Sequence, residues 1–188
     1  MKYKLLLIFV FFIIAPAYGS GIEKVYARAT KYHKTEKNCD PQTAEGLTST
    51  KIELEESCKK TIGIVAVDPS VIPYGSLVYS PDTKRLFLAC DIGGAVTSRD
   101  AAKDFARKKG LGKKEEGAMV VDVYSRFEIL TNHYGYFYVI EHDGQMDFLN
   151  LYKEYQKKRL EPQFWLERIK VKKPTKVLGE IEKALRQM

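Results

Sequence analysis

Reactive and metal-seeking side chains are scarce in this chain: among 188 residues there are three cysteines, three histidines and one tryptophan. His33, His133 and His142 show no ligand spacing, among themselves or with Cys39, Cys58 and Cys90. Neither a metal centre nor a Cys–His nucleophilic pair is therefore spelled out, no organic cofactor is indicated, and each histidine reads as a surface residue. Long apolar runs are equally rare, and after Ala15 nothing is long or apolar enough to cross a membrane. No internal repeat or low-complexity stretch stands out. An odd number of cysteines leaves at least one thiol unpaired. Cys39 and Cys58 flank a polar stretch that a bridge would close, so that pair is the expected disulfide, and Cys90 reads as a small buried residue of an apolar strand.

The apolar run from Leu5 to Ala15 follows Lys2 and Lys4 and precedes Ala17 and Gly19 at the spacing a signal peptidase reads. Residues 1–19 are expected to be a signal peptide, with an uncleaved membrane anchor as the alternative. The mature chain would then start at Ser20 and work in the periplasm, the cell envelope or outside the cell. The formal charge is +7, and loss of Lys2 and Lys4 with the leader lowers the surplus to five. That surplus sits in the tail, where Leu151 to Met188 holds eleven Lys and Arg against five Glu. In an exported protein such a tail suggests contact with an anionic envelope polymer or a membrane surface, or else the solvated face of a helix. No nucleic-acid-binding module accompanies the charge.

Short strands separated by turn signals are expected at Glu23 to Lys31, Ile62 to Asp68, Ser76 to Ser80, Arg85 to Asp91, Gly117 to Tyr124 and Tyr134 to Glu141. Together they point to a small barrel. Thr35 to Gln42 and Lys51 to Lys60 read as loops, and His142 to Gln145 as a turn. A helix interrupts the strands at about 98–109, where Ser98 is placed to cap and Ala101, Ala102, Phe105 and Ala106 share a side. Phe148 to Leu160 and Lys176 to Gln187 read as helical, separated by Pro162 and Pro174. Trp165 would anchor this tail to the barrel. The organisation expected is a barrel over residues 20–141 and a basic, mostly helical extension over 142–188.

Three aspartates end or interrupt apolar runs: Asp68 after Ile64-Val65-Ala66-Val67, Asp91 after Leu86-Phe87-Leu88-Ala89-Cys90, and Asp122 within Met119-Val120-Val121-Asp122-Val123-Tyr124. A carboxylate in a buried strand is costly unless hydrogen-bonded or functional. The stretch Gly63 to Tyr79, with Asp91-Ile92-Gly93-Gly94-Ala95-Val96 and Val121-Asp122-Val123-Tyr124, resembles the 3D domain, named for three aspartates. That domain occurs in bacterial cell-wall hydrolases and forms the catalytic barrel of MltA-type lytic transglycosylases.

The resemblance implies a mainly β, six-stranded double-psi β-barrel that cleaves the MurNAc-GlcNAc bond of peptidoglycan. It implies Asp122 as the catalytic acid and base, Asp91 as its close partner and Asp68 lining or supporting the same cleft. Thr48, Ser49 and Thr50 correspond to a hydroxyl-rich segment near the glycan groove, and Gly93 and Gly94 would let the backbone approach the sugar or merely turn the barrel. Two departures stand out: residues Thr97 to Ala118 separate the glycine pair from the last aspartate, and Lys51 replaces the glycine that usually follows the hydroxyl segment. A structural role remains open for each aspartate and is the better reading for Asp68, where Pro69 suggests a turn-capping carboxylate. Tyr134, Tyr136, Phe137 and Tyr138 would stack on sugars or serve strand packing alone. The alternatives to lytic cleavage are hydrolysis with Asp91 as second carboxylate, a non-catalytic glycan-binding barrel, and a barrel docked to a partner by its tail.

Overall fold

The computed structural model describes residues 22–37, 39–54, 62–124, 132–140 and 176–186. The expected signal peptide, Cys58, His142 with its turn, the helix at 148–160 and Trp165 lie outside the described residues.

Six strands, β1 (Ile22–Tyr32), β2 (Gly63–Ala66), β3 (Leu77–Ser80), β4 (Arg85–Asp91), β5 (Met119–Tyr124) and β6 (His133–Ile140), close into a barrel in the order β1-β5-β2-β4-β3-β6. β1 runs parallel to β5 and β2 parallel to β4, while the other four pairings are antiparallel. The interior receives one face of every strand: Val25, Ala27 and Ala29 of β1 pack with Val65, Val78, Phe87, Val121 and Phe137. Alanines on β1 leave room for the two phenyl rings, which fill the barrel with side chains. Gly63 makes room in the same way, since a Cβ there would lie 2.6 Å from Phe87 Cδ1.

The outer face of β2, β3 and β4 is also buried, under Ile52, Leu54, Val96, Ala102 and Ile181. This double burial is why those strands read as continuous apolar runs rather than alternating ones.

Five helices decorate the described barrel: α1 (Pro41–Ala44), α2 (Gly94–Thr97), α3 (Arg99–Lys108), α4 (Lys113–Glu116) and α5 (Lys176–Arg186). α3 is the insertion helix expected at 98–109, and Ser98 Oγ accepts from the Ala101 amide at 3.3 Å. α1 falls partly where a loop was expected: Asp40 Oδ1 accepts from the amides of Gln42 and Thr43 at 2.9 and 3.0 Å, and Pro41 opens the first turn.

Two further expectations are corrected. Cys39 is not in a disulfide; its thiol donates to the His33 carbonyl at 3.0 Å. Nor is His33 a plain surface residue: it is half-buried, with its ring stacked on Tyr124 at 5.4 Å and 11°. His133 fits the surface reading and pairs with Asp82 at 2.6 Å.

α5 docks through Ile181, which is wholly buried while Lys176, Glu180, Lys183 and Arg186 stay exposed. Ile181→Ala is expected to cost about 2–4 kcal/mol, measurable as a lowered midpoint in urea unfolding. An unchanged midpoint would mean that α5 contributes nothing to the folded barrel.

Candidate active site

Strand register, not sequence proximity, assembles the site. Ala66 on β2 pairs with Asp122 of β5 on one side and Asp91 of β4 on the other, and Asp122 pairs in turn with Thr30 of β1. A bulge between Val65 and Ala66 shifts the β2–β4 register, so that Val65 pairs with Ala89 but Ala66 with Asp91. With neighbouring strands about 4.8 Å apart, the two aspartate backbones lie roughly 10 Å apart. Residues 97–118 fold as α3 and α4 outside the barrel and leave this row intact.

Asp122 projects from the outer face of β5, as Val120 and Tyr124 do, and is half-buried. Its Oδ1 accepts from Thr30 Oγ1 at 2.6 Å. Burial pushes its carboxyl up to about 6, helped by the charges of Glu36 and Asp91 and opposed by the Thr30 hydrogen bond and the Arg28 guanidinium. The residue faces a cleft of about 280 Å³ whose walls include Tyr32, Glu36, Cys39, Ala66, Gly93 and Gly94.

Gly93 is extended at φ −149°, and Gly94 begins α2. A Cβ on either would meet nothing within 4 Å. Neither internal packing nor a left-handed backbone requires glycine here, so what the pair provides is open space at the cleft wall.

Asp91 is built differently. It is 2 % exposed, its Oδ1 accepts from the amides of Ser49 and Ile92 at 2.8 and 2.9 Å, and its Oδ2 accepts from the Tyr32 hydroxyl at 2.6 Å. Burial, followed by the Asp91 charge, raises Tyr32 well above the ordinary phenol value, so it stays a neutral donor. This carboxylate ties β1, β4 and the hydroxyl segment together behind the cleft wall.

Thr48 is wholly buried, where its Oγ1 accepts from the Ile52 amide at 2.9 Å, and Thr50 Oγ1 donates to the Cys90 carbonyl at 2.6 Å. Both hydroxyls are therefore directed into the protein, which corrects the expectation that Thr48 meets a glycan. Ser49 Oγ lies 3.4 Å from the Tyr74 hydroxyl. Lys51 adopts φ 67°, a left-handed backbone that glycine takes without cost.

Asp68 caps its own turn: Oδ1 accepts from the Ser70 amide at 3.0 Å and from Ser70 Oγ at 2.6 Å. The structure thus brings Asp122, Gly93 and Gly94 to one cleft, sets Asp91 behind it, and leaves Asp68, Thr48 and Thr50 off its walls.

Sequence reasoning missed Thr30, Arg28 and Glu36. A usable signal existed for two of them, because alternation along β1 puts Arg28, Thr30 and Tyr32 on one face. Thr30→Val should raise the Asp122 carboxyl further, because the lost hydrogen bond favours the charged form. An NMR titration of the Asp122 carboxyl is expected to show a higher midpoint in the variant; an unmoved midpoint would mean that the Thr30 hydrogen bond does not favour the charged form.

Among curated proteins, none matches this chain. Residues 63–125, which span all three aspartates, match the family model of the 3D domain.

Proposed function

We propose that the protein is an exported enzyme that cuts the glycan strands of peptidoglycan as a lytic transglycosylase, with Asp122 as its general acid and base. The supporting observation is the state of Asp122: half-buried, held by the Thr30 hydroxyl, raised to about 6 and open to a glycine-walled cleft. A carboxyl with that value keeps a useful protonated fraction near neutral pH, as delivering a proton to a glycosidic oxygen demands. As the bond to the anomeric carbon breaks, the proton of Asp122 passes to the departing oxygen. The carboxylate so formed then takes the proton from the C6 hydroxyl of the muramic sugar, whose oxygen closes onto the anomeric carbon. The product is a 1,6-anhydro end, and Asp122 is protonated again.

One free carboxyl suffices for this sequence. Hydrolysis needs a second at a defined separation; both oxygens of Asp91 are already engaged by protein donors, which leaves Glu36 on the cleft wall as the carboxylate that reading would have to use.

The experiment is incubation of the purified protein with peptidoglycan sacculi and mass spectrometry of the soluble products. Anhydromuramic ends are expected. Reducing ends would replace the proposal by hydrolysis, and no soluble product would replace it by a non-catalytic glycan-binding barrel.

A further inference from the structure

The outer face of β1 carries Asp122's partner Thr30 and, two and four residues back, Arg28 and Tyr26. Tyr26 pairs across the ladder with Tyr136, and Arg28 with Tyr134. The rings of Tyr26 and Tyr136 lie 5.1 Å apart, and Tyr136 is 41 % exposed. Two ammonium groups converge on that ring from different elements: Lys24 of β1 at 3.9 Å and Lys114 of α4 at 4.7 Å. Lys114 also sits 3.9 Å from the Tyr26 ring. Neither lysine makes an ion pair with a described residue, and the neighbouring carboxylate, Glu115, accepts instead from the Tyr26 hydroxyl at 2.9 Å. Two like charges held beside one aromatic ring repel each other and leave donors open to an incoming anion.

We infer that this strip binds an acidic glycan strand beside the Asp122 cleft. Lys24 and Lys114 take carboxylates borne on the strand, and the exposed part of Tyr136 offers apolar surface beside them. Charge complementarity favours this occupant. The Phe105 ring of α3 packs on the Arg28 guanidinium at 3.5 Å, so the strip lies beside the cleft rather than inside it, and Tyr26 to Thr30 is four strand residues, roughly 13 Å, within the reach of an oligosaccharide. The inserted α4 supplies one of the two ammonium groups, which gives the departure at 97–118 a use. The inference rests on the proposed glycan substrate.

The test measures co-sedimentation with sacculi by the full chain carrying Asp122→Asn, so that the polymer is not consumed. Adding Lys24→Gln with Lys114→Gln, or Tyr136→Ala, is expected to weaken binding roughly fivefold to tenfold. Sacculi with amidated carboxyl groups should show a similar loss against the unaltered strip. The lysine substitutions should leave the melting temperature unchanged, while Tyr136→Ala, which loses its ring contact with Tyr26, should lower it by no more than about 4 °C. Affinity preserved within about twofold in both variants overturns the strip. So does sedimentation velocity showing a dimer lost in the variants while sacculus binding persists, which would assign the face to a second copy. Anhydro ends released by the wild type report on cutting separately, so the strip can fail with cutting intact and cutting can fail with the strip intact.

Discussion

Asp122→Asn is expected to release no anhydromuramic ends from sacculi and, at pH 8, to melt at a higher temperature than the wild type. The first effect follows from the loss of the general acid and base of the proposed reaction, where such catalysis contributes about 10²–10⁴-fold. The second follows from linkage. The carboxyl is raised from 3.8 to about 6 in the folded protein, chiefly by burial. A raised group favours the folded state fully below its unfolded value, and that contribution is lost as pH rises through about 6. Above that the buried charge weakens the fold by an amount on the order of 2–3 kcal/mol, which an uncharged amide avoids. The amide oxygen still accepts from Thr30. The variant should therefore gain about 5 °C or more at pH 8 and nothing at pH 3.5. Activity of the wild type should decline as pH rises past about 6. Equal melting temperatures at pH 8 would show that Asp122 is not raised by burial, and with that the case for it as an acid would fail.

Much of this fold is written in local pattern, and the site is not. β4, α3 and α5 announce themselves by an apolar run, a serine cap and helical spacing, all of which act within a few residues. α2 and α4 carry no such mark: each is four residues long, begins after a glycine and lacks a side-chain cap. α1 did carry one, since Asp40-Pro41 is a cap followed by the favoured first residue. The three aspartates can be picked out as unusual, but their division of labour depends on partners far along the chain. Thr30 lies 92 residues from Asp122, and Tyr32 lies 59 residues from Asp91. The bulge at Val65 and Ala66, which sets Asp91 beside Ala66, has no sequence mark that separates it from a regular strand. The glycine pair is legible as a feature, yet only the empty space beyond it distinguishes a cleft wall from a turn.

The same division of labour makes Asp91 the more damaging position for stability and the less damaging one for chemistry. Asp91→Ala removes the acceptor of three hydrogen bonds at a site 2 % exposed and strands the Tyr32 hydroxyl and the Ser49 amide. Each buried donor left unpaired costs about 1–3 kcal/mol, for a loss on the order of 3–5 kcal/mol. A melting temperature about 10 °C lower or more is expected. Asp91→Asn is the sharper probe, because its oxygen can still accept from the two amides while its NH₂ meets the phenol, whose oxygen can accept in turn. It should recover most of the stability and, assayed below its melting point, keep activity within about tenfold of the wild type, well above the loss expected for a missing acid or base. Should Asp91→Asn instead melt like the wild type and release no product, Asp91 would have to touch the reacting sugar directly. Its enclosure by Tyr32, Ser49 and Ile92 would then have to open on substrate binding. While those three donors remain engaged, Asp91 holds the cleft wall in place, and of the three aspartates the proposed reaction leaves the proton to Asp122.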